Sequence, residues 1–217
     1  MKPHFNIIIA TPGRNMEAEY VKSLVKTINY LNDNDISYYY TSEYSSQVSM
    51  ARESTIMSSK VLSVFSKEPL HGAATYDKII WIDSDISWEI EDFINLYKSN
   101  LDIVSGIYIN EDEVPLFLYK EDDIYFKDES WKNKKYPFKV FGVGFGFVAM
   151  KNGIFENIPR PWFNTVFQEI ENEDKTEKFY LPWGEDLSWC KKANEQGYDL
   201  YVDPSIRVTH HKKMSLK

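Results

Sequence analysis

The segment Asp77-Lys78-Ile79-Ile80-Trp81-Ile82-Asp83-Ser84-Asp85 is an apolar run closed by two acids one residue apart. It reads as a strand buried on both faces, the kind that lies inside a sheet covered by helices. Working outward, residues 5–10 (FNIIIA), bounded by Thr11-Pro12-Gly13, form a second strand of the same kind. Residues 36–41 are Tyr-rich and read as a third, and residues 102–108 (DIVSGIY) as a fourth. Helical patterns separate them. Val21, Leu24, Val25, Ile28 and Leu31 recur at the spacing of one helix face. Met57, Val61, Val64 and Phe65 mark a second helix that ends near Pro69, and residues 89–99 a third. Alternation of strand and helix predicts an α/β chain with a mostly parallel, doubly wound central sheet flanked by helices.

The second half reads differently. Residues 116–119, 124–126 and 140–150 look like short strands, giving a small antiparallel part. Residues 184–195 form a helix whose C′ position suits Gly197, and 200–202 and 207–209 are final short strands. The acidic stretch 169–177 suits a mobile loop or a solvated helix end. With 217 residues the chain is long enough for one domain with a real core and short for two. It divides by pattern into two halves, residues 1–108 and 109–217.

Composition narrows the function. Apolar residues make up 43% and aromatic residues 16%, a globular composition whose flat rings can also stack on sugars. A formal charge of −8 disfavours nucleic acid, whose phosphates need concentrated Lys and Arg. It leaves a nucleotide ligand open, since a cation can neutralise the phosphates. The lone Cys190 allows no internal disulfide and reads as a small buried residue. There is no apolar run of membrane-span length and no signal-peptide pattern, so the expected location is cytoplasmic. The tail, with Lys212, Lys213 and Lys217, is basic and reads either as a frayed end or as the start of something truncated.

Three segments carry chemistry. Asp83 and Asp85 close a central strand, where open α/β sheets bind ligands, and offer hard oxygen donors to a divalent cation. A strand end followed by a capping Ser84 or Asp85 would give the same letters. In Pro182-Trp183-Gly184-Glu185-Asp186, the two acids open a helix, where its dipole favours the ionised form that a general base needs. Plain dipole complementarity is the alternative. Arg207-Val208-Thr209-His210-His211 follows a strand and can supply an imidazole. Strand alternation should bring only one of His210 and His211 into the site. Two carboxylates with one imidazole suit Mn²⁺ better than Ca²⁺.

In this order the segments resemble the GT-A glycosyltransferases, especially family-2-like members, over nearly the whole chain. Trp183-Gly184-Glu185-Asp186 is also similar to a galactosyltransferase motif. The resemblance implies transfer of a sugar from a nucleoside-diphosphate sugar, here a UDP-sugar, to a hydroxyl of a glycan or glycoprotein. It implies that Asp83, Asp85 and His210 hold Mn²⁺ (or Mg²⁺), and that Asp186, beside Glu185, is the base if configuration inverts. It places Thr11, Pro12, Arg14, Ser42, Arg52, Asp83, Ser84 and Asp85 on the nucleotide sugar, and Trp183, Gly184 and Glu185 on the acceptor. Trp162 is a further acceptor candidate, with the core as its alternative. Thr11-Pro12-Gly13-Arg14-Asn15 departs from the family's usual Pro followed by Tyr-Asn, so the base-binding loop differs. Compact enzymes that it resembles occur in large DNA viruses and phages, and the Lys-, Asn- and Tyr-rich composition of this chain would fit one. Phe141-Gly142-Val143-Gly144-Phe145-Gly146-Phe147 does not follow the first strand, so it is no dinucleotide fingerprint; alternating glycines there suit a close approach by ligand or backbone. Two rivals stand beside this reading. One is a nucleotidyltransferase, for which Thr11-Pro12-Gly13-Arg14 is a poor phosphate loop. The other is a sugar-nucleotide binding protein without turnover.

Overall fold

The structure is a computed structural model that describes residues 1–60, 65–110, 112–122, 124–171 and 176–212. In the first half, β1 (His4–Ala10), α1 (Ala18–Asp33), β2 (Tyr38–Thr41) and α2 (Val48–Met57) precede β3 (Thr75–Ile82). β4 (Ile86–Ser87), α3 (Ile90–Lys98) and β5 (Ile103–Ile107) follow. The second half adds β6 (Phe117–Glu121), β7 (Ile124–Phe126), β8 (Phe138–Val140), β9 (Gly142–Val143), β10 (Phe147–Lys151) and α4 (Ile154–Asn157). It ends with β11 (Val166–Glu171), β12 (Lys178–Trp183), α5 (Glu185–Glu195), β13 (Leu200–Arg207) and β14 (Thr209–His210).

Seven strands form the central sheet in the order β2-β1-β3-β10-β5-β13-β8. β2, β1, β3, β5 and β13 run one way; β10 and β8 run against them. The sheet is therefore mostly parallel, as the alternation predicts, but β10 from the second half is inserted antiparallel between β3 and β5. Side chains alternate across the sheet. Ile8, Ala10, Ile79 and Trp81 pack on one face with α2, α4 and α5; Ile7, Ile9, Ile80 and Ile82 pack on the other with α1 and α3. Small antiparallel pairs complete the strands: β6 with β7 and β9, β11 with β12, and β14 with β4.

Several expectations need correction. The buried face of α1 is Tyr20, Ser23, Thr27 and Leu31, whereas Val21 and Val25 are exposed. The reason is Trp88, which is buried after β4. Its Nε1–H donates to Thr27 Oγ1 at 2.9 Å, its backbone N–H donates to Ser23 Oγ at 3.1 Å, and Ser23 Oγ donates to its carbonyl at 2.8 Å. Polar atoms face inward there because buried donors must be met. The second helix ends at Met57, where Ser58 turns left-handed (φ 50°); Phe65 is exposed, and Val61 and Val64 lie outside the described residues. Its pattern misleads because its buried residues include Arg52, Glu53, Ser54 and Thr55. The final short strands are one continuous β13 with an irregular register between Val202 and Arg207. In the acidic stretch, residues 169–171 belong to β11, and 172–175 lie outside the described residues. Gly197, at φ 85°, takes the left-handed C′ position after α5. No helix among the described residues is long and apolar enough to cross a membrane.

Thr27→Val leaves the buried Trp88 Nε1–H without an acceptor and should cost about 1–3 kcal/mol in a denaturant titration. Val25→Lys, on the exposed side of the same helix, should change stability by less than ~0.5 kcal/mol.

Candidate functional site

β1 and β3 are parallel neighbours, so the segments that leave their carboxyl ends lie side by side. They touch at Gly13, whose backbone has φ 147°; a Cβ there would sit 2.7 Å from Ser84 Oγ. The Glu17 N–H donates to the Ser84 carbonyl at 2.9 Å and ties the two segments again. With the residues after β2 and the start of α2 they wall a cleft of about 520 Å³. Pro12, Arg14, Arg52, Asp83, Ser84 and Asp85 all line it.

Arg52 is 4% exposed, yet carries a full charge. Its Nη1 and Nη2 donate to the two carboxylate oxygens of Asp83 at 3.0 and 3.2 Å, and its Nε donates to Glu185 at 2.9 Å. The guanidinium lies 5.7 Å from the Trp81 ring centre and 5.4 Å from that of Phe145. Planarity lets one group stack on rings and fork onto two acids, which a lysine cannot do. Burial works against the charge, but the Asp83 and Glu185 carboxylates outweigh it and hold the guanidinium above its ordinary range. The next residue, Glu53, is equally buried and faces elsewhere: it accepts from the Phe163 N–H at 2.9 Å and from Arg160 at 3.3 Å.

Asp85 has a different set of partners. Its Oδ2 lies 3.2 Å from His210 Nε2 and 3.3 Å from Lys212 Nζ, and its carbonyl accepts from the His211 N–H at 2.8 Å. Burial pushes the Asp85 carboxyl up, but His210 and Lys212 outweigh it and hold it below the usual range. The hydrogen bond to Asp85 in turn raises His210. The other ring nitrogen, Nδ1, is 3.1 Å from the Ile109 carbonyl. Both ring nitrogens thus face acceptors, so the protonated imidazole donates from Nδ1 to the Ile109 carbonyl and from Nε2 to Asp85; loss of the Nε2 proton would free a lone pair beside the carboxylate. Holding the second nitrogen on a carbonyl is how metal-ligating histidines are oriented.

Asp186 opens α5 and lines a second, smaller cavity of about 90 Å³ with Leu116, Phe117, Lys127, Gly144 and Leu187. The helix start was expected to keep this carboxyl ionised. Instead burial, reinforced by Glu185, pushes it up to about 6, against Arg52 and the Leu187 N–H. A carboxyl at that value is still mostly ionised at neutral pH and basic enough to take a proton.

The sequence candidates are thus sorted. Asp85 and His210 meet, whereas Asp83 is turned onto Arg52, so the expected three-ligand set is not assembled. Among the described residues no group of three or more His, Cys, Asp or Glu side chains is placed to hold a metal. Glu185 is engaged by Arg52 rather than turned to an acceptor. Thr11 is fully buried behind the cleft, with its hydroxyl 2.6 Å from that of Tyr20. Ser42 is half-buried and off the cleft wall; Tyr44 and Ser45, two and three residues on, line it instead. Trp183 is not an open platform: Tyr125 and Phe141 pack on it at 4.9 and 5.3 Å. Gly184 is the N-cap of α5. Trp162 and Cys190 are core residues, fully buried. Both histidines serve the region, because β14 ends at His210 and alternation no longer governs His211, which lines the cleft and bonds Ser87 Oγ at 2.7 Å.

Sequence reasoning missed Tyr44, Lys212 and His211. Tyr44 is nearly half exposed, with the Arg14 guanidinium 5.7 Å from its ring centre. An aromatic just past the carboxyl end of a strand was the signal for it. Lys212 stood in the basic tail, of which 213–217 lie outside the described residues.

No family profile matches the chain, and no curated protein matches it. Solved structures do. A197 from STIV is 18% identical, with a TM-score of 0.55 over 96% of this chain and 87% of that one. GalNAc-T7, solved with UDP, GalNAc and Mn²⁺, is 12% identical, with a TM-score of 0.57 over 97% of this chain; the chain spans 44% of its length. The catalytic domain of Drosophila beta1,4galactosyltransferase 7, in complex with xylobiose, is 12% identical, with a TM-score of 0.49 over 96% of this chain and 71% of that one. The chain has the GT-A fold, with a mostly parallel central sheet, flanking helices and a small antiparallel part.

Arg52→Leu leaves the half-buried Asp83 and Glu185 carboxylates without their shared partner and should cost about 1–3 kcal/mol in equilibrium unfolding. Asp186 has the opposite sign. Its folded value of about 6 stands above the ordinary 3.8, so its contribution to stability is complete below about 4 and is lost as pH rises through 6. Asp186→Asn should therefore melt higher than the wild type at pH 7.5, with the gain shrinking toward pH 4.

Proposed function

We propose that this chain is a metal-dependent glycosyltransferase of the family-2-like kind, moving a sugar from a UDP-sugar to a hydroxyl of a glycan or glycoprotein. The observation that carries the proposal is the pairing of Asp85 Oδ2 with His210 Nε2 at 3.2 Å, on the rim of a cleft at the carboxyl ends of β1 and β3. These residues fit Mn²⁺ or Mg²⁺: one oxygen and one imidazole nitrogen face each other, and the second imidazole nitrogen is held by a carbonyl. A cation bound through few side chains completes its shell with water and substrate phosphates. When bound it neutralises the charge that gathers on the departing diphosphate. GalNAc-T7, with its Mn²⁺ and UDP, supports the choice of donor and ion.

The chain's own groups supply the rest. Tyr44 offers a flat face to the nucleotide base, and Arg14 beside it a charge for phosphate. Asp186 stands across the Arg52 cluster from the cation end. It takes the acceptor proton as the acceptor oxygen bonds the sugar's anomeric carbon, and the bond from that carbon to the diphosphate breaks to release UDP. Arg52 keeps Asp83 and Glu185 in place on either side of this path rather than gripping phosphate itself.

A thermal-shift series of nucleotide sugars with and without Mn²⁺, followed by product analysis, tests the proposal. A UDP-sugar should raise the melting temperature more with Mn²⁺ than without, and turnover should release free UDP. Asp186→Asn should lose about 10²–10⁴-fold in turnover while donor affinity is kept. Release of pyrophosphate would replace the proposal with nucleotidyl transfer, and Mn²⁺-dependent binding without turnover of any donor would replace it with a binding protein.

A further inference from the structure

Whereas a Cβ at Gly142 would meet Leu187 of α5, glycines 144 and 146 of the alternating run have a cause that the sequence alone did not disclose. Tyr108, the first residue after β5, is 5% exposed and points beneath them. Its hydroxyl accepts from the Gly146 N–H at 2.8 Å. A Cβ at Gly146 would lie 2.6 Å from the end of the Tyr108 ring, and one at Gly144 would collide with the hydroxyl itself. The close approach there is made by a side chain of the protein.

Two further contacts connect Tyr108 to the cleft. The carbonyl of Gly146 accepts from the Asp83 N–H at 3.0 Å, so the Tyr108 hydroxyl and the start of the Asp83-Ser84-Asp85 turn share one peptide neighbour. The Tyr108 ring meets the His210 ring edge-on, with centres 5.7 Å apart and planes at 89°. The carbonyl that holds His210 Nδ1 belongs to Ile109, the next residue. One dipeptide therefore fixes the imidazole by a ring and a carbonyl, and fixes the acidic turn by a hydroxyl. Burial, with Asp83 nearby, pushes the Tyr108 hydroxyl far above the usual phenol range, so it stays a neutral O–H at any working pH.

We infer that Tyr108 is a positioning residue, holding His210 and the Asp83 turn at the separation that the cation end of the site requires. The inference rests on the reading of Asp85 and His210 as cation ligands. Tyr108→Phe removes the hydroxyl and keeps the ring. Hydrogen exchange without metal or nucleotide should show the Gly146 and Asp83 amides exchanging about tenfold faster in this variant, with the β1 amides unchanged. The Mn²⁺ concentration for half of the UDP-dependent thermal shift should rise about tenfold, a change that mere loss of stability would not produce. Gly144→Ala, which displaces the hydroxyl, should raise that concentration in the wild type and add nothing on top of Tyr108→Phe. Unchanged exchange at Asp83, or additive effects of the two substitutions, would overturn the inference whatever the wild type binds. A wild type whose UDP response ignores Mn²⁺ would instead overturn the cation reading, and is visible without any variant.

Discussion

One buried guanidinium organises this molecule. Arg52 enters from α2, takes both oxygens of Asp83 at the end of β3, and takes Glu185 at the start of α5. A charge removed from water is tolerated only when paired and hydrogen-bonded on all sides. Each of its two acids comes from a different half of the chain, so their separation is set by the span of one side chain. The aromatic rings of Trp81 and Phe145 complete the enclosure.

That constraint divides labour among four carboxyl groups. Asp83 and Glu185 are neutralised by Arg52 and serve as structure. Asp85, one residue beyond Asp83, is left to His210 and Lys212 on the open side. Asp186, one residue beyond Glu185, is left to a separate cavity, where burial and its neighbours raise it to about 6. In each acidic pair the first member is anchored on Arg52 and the second is not. Tyr108 touches both neighbourhoods, accepting from the Gly146 N–H and meeting the His210 ring edge-on.

Much of the fold was legible in the letters, because strands buried on both faces are apolar without interruption. β1, β3 and β5 fall where their runs predict, and the acids follow β3 where a ligand site belongs. The failures share a cause: buried polar atoms. Ser23 and Thr27 turn inward to satisfy Trp88, so the buried face of α1 keeps Leu31 and Leu24 but excludes the expected Val21 and Val25. α2 buries Arg52, Glu53, Ser54 and Thr55, so its true extent has no apolar signature. The Arg52–Glu185 contact spans 133 positions, and no local pattern announces it. Nor does a strand's composition reveal its direction, which is why β10 slips antiparallel between β3 and β5 without warning. The glycines of 142–146 were visible as a demand for space, but the side chains that fill it, Tyr108 just after β5 and Leu187 on α5, lie far away in sequence.

Diffraction from crystals grown with UDP and Mn²⁺, recorded at the manganese absorption edge, would locate the ion itself. The account predicts one anomalous peak ligated by Asp85 and His210, with Asp83 still forked onto Arg52. A peak on Asp83 with the Arg52 pairing broken, or manganese bound away from His210, would contradict it.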